Sequence, residues 1–114
     1  MKYMLMFCSD QASGLEPDEE ESTAMAGCDE WAAEMQRRGI LLSREGLQPV
    51  SDSTTLRVRQ EQVLLSDGPF AETKDQIGGF SLIECPDLDG AIEVAASHPW
   101  AQIGQVEIRP VWQP

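Results

Sequence analysis

A short polar segment in the second half of the chain carries the residue types best suited to chemistry. Glu72, Thr73 and Lys74 follow one another there, and together they can accept a proton, donate a hydrogen bond and bind an anion. Asp67 precedes them in an Asp-Gly-Pro turn sequence. Because neighbouring carboxylates in a pocket can differ in pKa, Asp67 and Glu72 form a candidate acid and base pair. The candidate catalytic residues are therefore Asp67, Glu72 and Lys74, and the candidate ligand contacts in this segment are Glu72, Thr73 and Lys74.

Each of these side chains also has a structural interpretation. Lys74 can anchor an anionic ligand or, when buried, act as a base or an amine nucleophile. An ion pair of Lys74 with Asp67 or Glu72 within the loop is favoured over both roles. Asp67 is favoured as a turn residue whose carboxylate accepts backbone amides. The role of Glu72 stays open, and Thr73 either orients a ligand or satisfies backbone donors.

Two arginines on predicted strands are further candidates for ligand binding. Arg57 and Arg109 alternate with apolar residues, and an arginine that faces a cavity binds carboxylate or phosphate through two parallel hydrogen bonds. The alternative for each is an ion pair with Glu84 or Glu107. The single histidine, His98, precedes a proline at a predicted helix end. It is favoured as a cap or a surface residue over a catalyst.

The sequence has no pattern typical of a metal site or a nucleotide cofactor. One histidine and the widely spaced Cys8, Cys28 and Cys85, without a Cys-x-x-Cys motif, do not indicate zinc. Gly78-Gly79 lacks the Gly-x-x-x-x-Gly-Lys spacing of a phosphate-binding loop. We therefore predict no cofactor, no metal, and the reduced thiols of a cytoplasmic protein.

The composition narrows the classes of partner. A chain of 114 residues is expected to form one domain, 1–114. Its net charge of −12 repels a polyphosphate backbone, which excludes nucleic acid as a direct partner. No apolar run approaches the length of about 20 residues that spans a membrane. The expected partners are a second copy of the chain, a small molecule, or another protein.

Strands and helices alternate along the chain. Strands are predicted at 2–8, 40–50, 54–59, 63–65, 79–85 and 106–112. One helix is predicted to start at Pro17 and end at Gly39, and a second to run from an N-cap at Asp87 to a stop at Pro99. The predicted buried face of the first helix is Met25, Cys28, Trp31, Ala32 and Met35, and that of the second is Leu88, Ala91, Ile92, Ala95 and Ala96.

This order of elements predicts an α+β fold of the ferredoxin-like, split βαβ kind. The sheet is expected to be antiparallel, with both helices on one face. No element remains to cover the other face, although that face carries apolar and mixed residues. We therefore expect a homodimer in which two sheets pack face to face around a cavity.

The segment 67–74, Asp-Gly-Pro-Phe-Ala-Glu-Thr-Lys, followed by Gly78-Gly79-Phe80, resembles the YCII-related family, in the branch named for its Asp-Gly-Pro-Phe motif. The likeness extends from the opening Met-Lys-Tyr-Met-Leu to 106–111. It implies a dimeric α+β barrel but no established activity. Relatives are suspected of using an Asp/His pair in a pocket, and His98 departs from that pattern because the expected histidine lies in the first helix.

Two functional hypotheses follow. The first is a small cytoplasmic homodimer with a small-molecule pocket at the 67–74 loop, which acts on a polar or acidic molecule; whether it is an enzyme stays open. The second is a regulatory module linked, through the family resemblance, to sigma-factor signalling. In that module the loop and the acidic first helix contact a protein partner.

Overall fold

The computed structural model describes residues 1–9, 19–69 and 76–113, and for 19–21 the backbone alone. In chain order the elements are β1 (Lys2–Ser9), α1 (Glu19–Arg37), β2 (Leu41–Gly46), β3 (Thr54–Arg59), β4 (Gln62–Asp67), β5 (Gln76–Glu84), α2 (Leu88–Ala96) and β6 (Gln105–Pro110), with short 3-10 helices at Val50–Asp52 and Pro99–Gln102. The predicted order of strands and helices is confirmed. The predicted helix start at Pro17 lies outside the described residues.

Four strands form one antiparallel sheet in the order β2-β5-β1-β6. The two central strands are β5 and β1, and β1 pairs with β5 on one side and with β6 on the other. Tyr3 and Leu5 point to the side that both helices cover, together with Ile83 of β5. The α+β class with an antiparallel sheet and two helices on one face is therefore confirmed.

The buried face of α1 contains Trp31, Ala32 and Met35, as the three- and four-residue spacing predicts. The prediction was wrong for Met25, which is 56% exposed, and Cys28 is only half-buried. Both residues lie nearer the start of the helix, where a cavity rather than the core lies beside it. The helix ends where expected, because Gly39 adopts a φ of 73° that favours glycine.

The buried face of α2 consists of Ala91, Val94 and Ala95. The predicted contributions of Leu88, Ile92 and Ala96 were wrong, since all three are exposed. A face centred on two alanines lets this short helix lie close to the sheet, and Val94 lies on that face while Ile92 points to the other side of the helix. The predicted N-cap is confirmed, because the Asp87 carboxylate accepts a hydrogen bond from the Gly90 amide at 2.9 Å.

Strands β3 and β4 form a separate two-stranded hairpin. Its turn residues, Gln60 and Glu61, both have positive φ, as a two-residue hairpin turn of this hand requires. The cross-strand register puts Leu56 opposite Leu65 and Val58 opposite Val63, so these four residues form one apolar face. We call this set the hairpin apolar face. Each of its side chains is more than half exposed.

The hairpin extends away from the four-stranded sheet. The two strands contact each other extensively, and they make few contacts with the other described elements. At the end of the hairpin away from its turn, the Gly68 amide donates a hydrogen bond to the Ser53 carbonyl. The radius of gyration is 15.9 Å, against about 13 Å for a compact chain of this length. Since an isolated hairpin is marginally stable in water, this arm needs a surface to pack on.

Candidate functional site

A cavity of about 550 Å³ lies at one end of the four-stranded sheet. Helix α1, the ends of β1 and β2, the start of β5 and the segment after α2 surround it. Its volume is within the range of small-molecule sites, which are usually apolar with a few polar groups. The aromatic part of its wall includes Phe7 and Trp100, and the polar part includes Asp29, Arg44 and His98.

His98 is held in a fixed orientation by three neighbours. Its ring stacks on Phe7 with centroids 4.1 Å apart and meets the edge of Trp31 at 4.6 Å. Its Nδ1 accepts a hydrogen bond from the Trp100 amide at 3.0 Å, which caps the 3-10 helix Pro99–Gln102. His98 is therefore a cap, as predicted, but of this 3-10 helix and not of α2, whose C-cap is Ser97. The alternative of a surface residue was wrong, because the two aromatic rings leave His98 only 4% exposed.

These contacts define the tautomer of His98. Because Nδ1 accepts a hydrogen bond, the neutral ring carries its proton on Nε2. Nε2 of His98 has no hydrogen-bond partner among the described residues. In that part of the chain every fully buried side-chain nitrogen or oxygen does have a partner. Nε2 is therefore not fully buried. His98 lines the cavity, so we place the Nε2–H donor at the cavity surface.

The electrostatic surroundings keep His98 uncharged. Burial lowers the pKa of His98 from 6.5 to about 4, and the positive charge of Arg44 acts in the same direction. Protonation would also place a second N–H against the Trp100 amide, which already points at Nδ1. At neutral pH the ring is therefore a hydrogen-bond donor through Nε2 and carries no charge.

Arg44 lies on the helix side of the sheet because of an irregularity in β2. The register with β5 shifts between Leu41 and Ser43, so that Arg44 stands opposite Ser81. Ser81 in turn pairs with Leu5, which points to the helices. Glu45, the next residue, starts from the opposite face, so Arg44 is the charged side chain that this strand directs towards α1.

The guanidinium of Arg44 has donors to spare. Its Nη2 donates a hydrogen bond to the Asp29 carboxylate at 2.8 Å. Asp29 is 83% exposed and Arg44 40% exposed, so this ion pair contributes little to stability and can be exchanged. The remaining N–H groups of Arg44 have no partner among the described residues, and they are available to a ligand.

The segment from Ser97 to Gly104 is fixed against β1 and α1. The Trp31 indole donates to the Ser97 hydroxyl at 3.0 Å, and the Trp100 indole donates to the Cys8 carbonyl at 3.0 Å. A Cβ atom at Gly104 would overlap the Trp100 ring, so the close approach requires glycine there. These contacts hold the cavity wall that carries His98.

Cys28 also lines the cavity but has the character of a packing residue. Its Sγ donates a hydrogen bond to the Ala24 carbonyl at 3.2 Å, within its own helix. Burial raises the pKa of the Cys28 thiol, and the nearby Arg44 only partly opposes this effect. A protonated thiol is a poor nucleophile, so the cavity has no activated cysteine at neutral pH.

Where the structure describes the candidates predicted from the sequence, it does not bring them into this cavity. Glu72, Thr73 and Lys74 are outside the described residues. Asp67 is exposed at the end of β4, and Arg57 is exposed on the hairpin, on the side away from the hairpin apolar face. Neither is among the residues that line the cavity. Their predicted roles in ligand binding or catalysis stay predictions.

Arg109 has a partner of its own. It is exposed and forms an ion pair with Glu107, as the alternative interpretation expected. The register puts Arg109 opposite Met4, on the sheet face that the helices leave open. This is the face on which an inter-sheet site was predicted, so its role in a ligand site also stays a prediction.

Sequence reasoning missed Arg44 and Trp100 and underestimated His98. In the sequence, His98 lies between the apolar Val94 and Ala95, which are buried, and the aromatic Trp100. These apolar neighbours could have indicated that His98 is buried. No comparable signal exists for Arg44, because simple alternation from the buried Leu41 would direct it away from the helices. Only the register shift reveals its position.

The described residues do not suggest a metal site or a membrane segment. Within 1–9, 19–69 and 76–113, no three histidine, cysteine or acidic side chains are grouped so that they could hold an ion. No helix in this part of the chain has the length and apolar character needed to cross a membrane.

Comparison with known proteins identifies the family. An uncharacterized protein of Rhizobium meliloti (strain 1021) is 42% identical over 67 residues, which are 57% of this chain and 54% of that protein. The matched region thus spans about half the length of the curated relative. The family model of the YCII-related domain matches residues 1–113. Because this match covers nearly the whole chain, the protein belongs to the YCII-related family.

Proposed function

We propose that the protein is a small cytoplasmic homodimer, of the Asp-Gly-Pro-Phe branch of its family, that binds a small polar or acidic molecule. The observation that carries the proposal is the cavity in which a cationic side chain, Arg44, and a neutral donor, His98, lie beside aromatic walls. A cavity of this kind gives a ligand both apolar contact and oriented hydrogen bonds. Arg44 comes from β2 and His98 from the segment after α2, so a ligand in this cavity can be bound by groups from two different parts of the chain.

Turnover needs a further group beside this pair. A neutral histidine can polarise a carbonyl, but a proton-transfer reaction also needs a base. Glu72 remains the predicted candidate for that base, whereas Asp67 does not line this cavity, and Lys74 and Thr73 remain the predicted additional ligand contacts. Binding is therefore the core of the proposal, and catalysis is its extension.

The cavity is tested by a small-molecule screen observed through the protein's own amide signals. We expect binders to shift the Gly78, Gly79 and Trp100 amides, which border the cavity. The indole signal of Trp112, which is 82% exposed and is not part of the cavity wall, is the internal control. Binders that shift only hairpin or Trp112 signals would contradict the proposed site.

The dimer is supported by two apolar surfaces that no described element covers. Met4 and Met6 lie with Leu82 on the sheet face opposite the helices, and the hairpin apolar face is exposed. A second copy supplies both a sheet face and an arm, so a two-fold arrangement covers both surfaces at once. Pairing of two sheets over apolar side chains also matches the expectation from the order of elements.

A charge on the hairpin apolar face is expected to weaken the dimer. Leu65→Glu places a carboxylate in a contact that association would dehydrate, and we expect the dimer dissociation constant to rise at least about tenfold. Sedimentation velocity over a range of concentrations measures this. Leu64→Glu, on the other side of the same strand, is the matched control and should change association less. A wild-type chain that sediments as a monomer at micromolar concentration would rule the dimer out.

The second candidate function, a regulatory module that binds a protein partner and is linked by resemblance to sigma-factor signalling, is favoured by one observation. The same hairpin apolar face would fit a partner protein if no second copy covers it. A monomeric chain that retains a folded hairpin would support this candidate over the homodimer.

A further inference from the structure

We infer that the cavity selects carboxylates that have a flat apolar body and a second oxygen acceptor, with Arg44 holding the carboxylate and the Nε2–H of His98 donating to the second oxygen. The inference rests on the proposed function and adds the chemical class of the ligand. It follows from three features of the cavity wall: a guanidinium with unused donors, a donor with fixed direction, and aromatic surfaces.

The guanidinium of Arg44 gives the helix side of the cavity an anion-binding group. Arg44 is directed there by the shifted register of β2, whereas Glu45, which also borders the cavity, starts from the other sheet face. The acidic side chain on the same side is Asp29, and it is already bound to Arg44 at 2.8 Å. A ligand carboxylate can take the unused guanidinium donors in the two-point geometry that arginine favours.

The second contact is a donor that cannot become an acceptor. Nδ1 of His98 is occupied by the Trp100 amide, so the ring offers only its Nε2–H to the cavity. The stacking contact with Phe7 and the edge contact with Trp31 prevent the ring from turning over. His98 therefore offers no acceptor to a ligand hydroxyl or amine hydrogen, but it offers a donor to a carbonyl or carboxylate oxygen.

The aromatic wall sets the shape of the ligand body. Phe7 and Trp100 border the same cavity as His98, and the Trp100 ring is fixed by its bond to the Cys8 carbonyl. Immobile rings favour a planar group that stacks on them. An inorganic phosphate could use the guanidinium but would leave this aromatic surface without a partner.

Three probes separate these contributions. Benzoylformate has a carboxylate, a keto oxygen and a planar ring; its methyl ester lacks the charge, and phenylacetate lacks the keto oxygen. We expect wild-type protein to bind benzoylformate at least about tenfold more tightly than either of the other two, as measured by calorimetry or amide-signal titration. The Nε2–H proton signal of His98 should also move when benzoylformate binds.

Two variants assign the contacts. Arg44→Gln should reduce benzoylformate affinity at least about tenfold and remove the preference over the ester. His98→Phe keeps a stacking ring and should remove the preference over phenylacetate. Arg37→Gln, an exposed arginine at the far end of α1 that pairs with Glu34, is the control and should bind as wild type does. Should His98→Phe fail to fold, the wild-type Nε2–H signal decides the histidine contact.

The outcomes distinguish this inference from the proposed function. Equal binding of the ester and the acid, unchanged binding in Arg44→Gln, or a stationary Nε2–H signal would overturn the ligand class. Inorganic phosphate that binds at least as tightly as benzoylformate would overturn the role of the aromatic body. If neutral or cationic molecules shift the cavity amides while benzoylformate does not, the ligand class fails and the cavity remains a binding site. If no molecule shifts those amides, the proposed function itself fails.

Discussion

Trp31→Ala is expected to lower the free energy of unfolding by about 4 kcal/mol, which is a large part of the stability of a domain of this size. Trp31 is 6% exposed, and its indole packs among the core residues that join α1 to the sheet. Its removal leaves a cavity and also releases the Ser97 hydroxyl and the Val94 carbonyl from the indole N–H. Both effects destabilise the folded state.

Urea unfolding followed by circular dichroism measures this loss. Trp31→Phe keeps most of the ring volume and should cost less than the alanine variant, with the difference due mainly to packing volume. Trp112→Ala removes the same side chain from a site that is 82% exposed, and it should change stability by no more than about 0.5 kcal/mol. A small effect at Trp31, or equal effects at Trp31 and Trp112, would show that α1 does not depend on this contact.

The second large effect is a loss of stability in mild acid that depends on His98. Its pKa is about 4 in the folded protein and 6.5 when unperturbed. Between these values the unfolded chain binds a proton that the folded chain does not, so stability falls as the pH decreases. The stabilising contribution is fully present above pH 6.5 and is lost as the pH falls through 4. The shift corresponds to about 3 kcal/mol over that interval.

The contribution of His98 to the pH dependence of stability is separated from that of the carboxylates by comparing wild type with a variant that lacks the histidine. Unfolding free energies of wild type and His98→Gln are measured from pH 7.5 to pH 4, and the gap between the two curves should narrow as the pH falls. Since the chain has one histidine, its C2–H proton signal reports the same titration directly. A signal that titrates near pH 6.5 would contradict the buried, neutral ring. Cys28, Asp29 and Arg44 line the same cavity. Because wild type and His98→Gln both contain them, their contributions cancel when the two curves are subtracted.

The fold was largely predictable because its signals are local. Gly39 and Asp87 mark helix ends through backbone conformation and capping, and both act as expected. The core of α1 follows from spacing alone, since Trp31, Ala32 and Met35 recur on one side of a helix. The alternation in β3 likewise predicted correctly that Arg57 points away from Leu56 and Val58.

The candidate site was not predictable because it depends on registers between distant segments. A single irregularity between Leu41 and Ser43 moves Arg44 to the helix side, and a shift of one residue reverses every later side chain in a strand. His98 is buried only because Phe7 and Trp31 come from two other elements. The sequence directed attention to the 67–74 loop, whereas the cavity residues are spread over most of the chain.

The indole of Trp100 gives the cavity an optical reporter that needs no label. It is half-buried at the cavity wall, with its N–H tied to the Cys8 carbonyl. The other two tryptophans are in contrasting surroundings, Trp31 in the core and Trp112 at the surface. A variant in which Trp31 and Trp112 are both replaced by phenylalanine would emit from Trp100 alone. Its fluorescence would then follow occupancy of the cavity in real time.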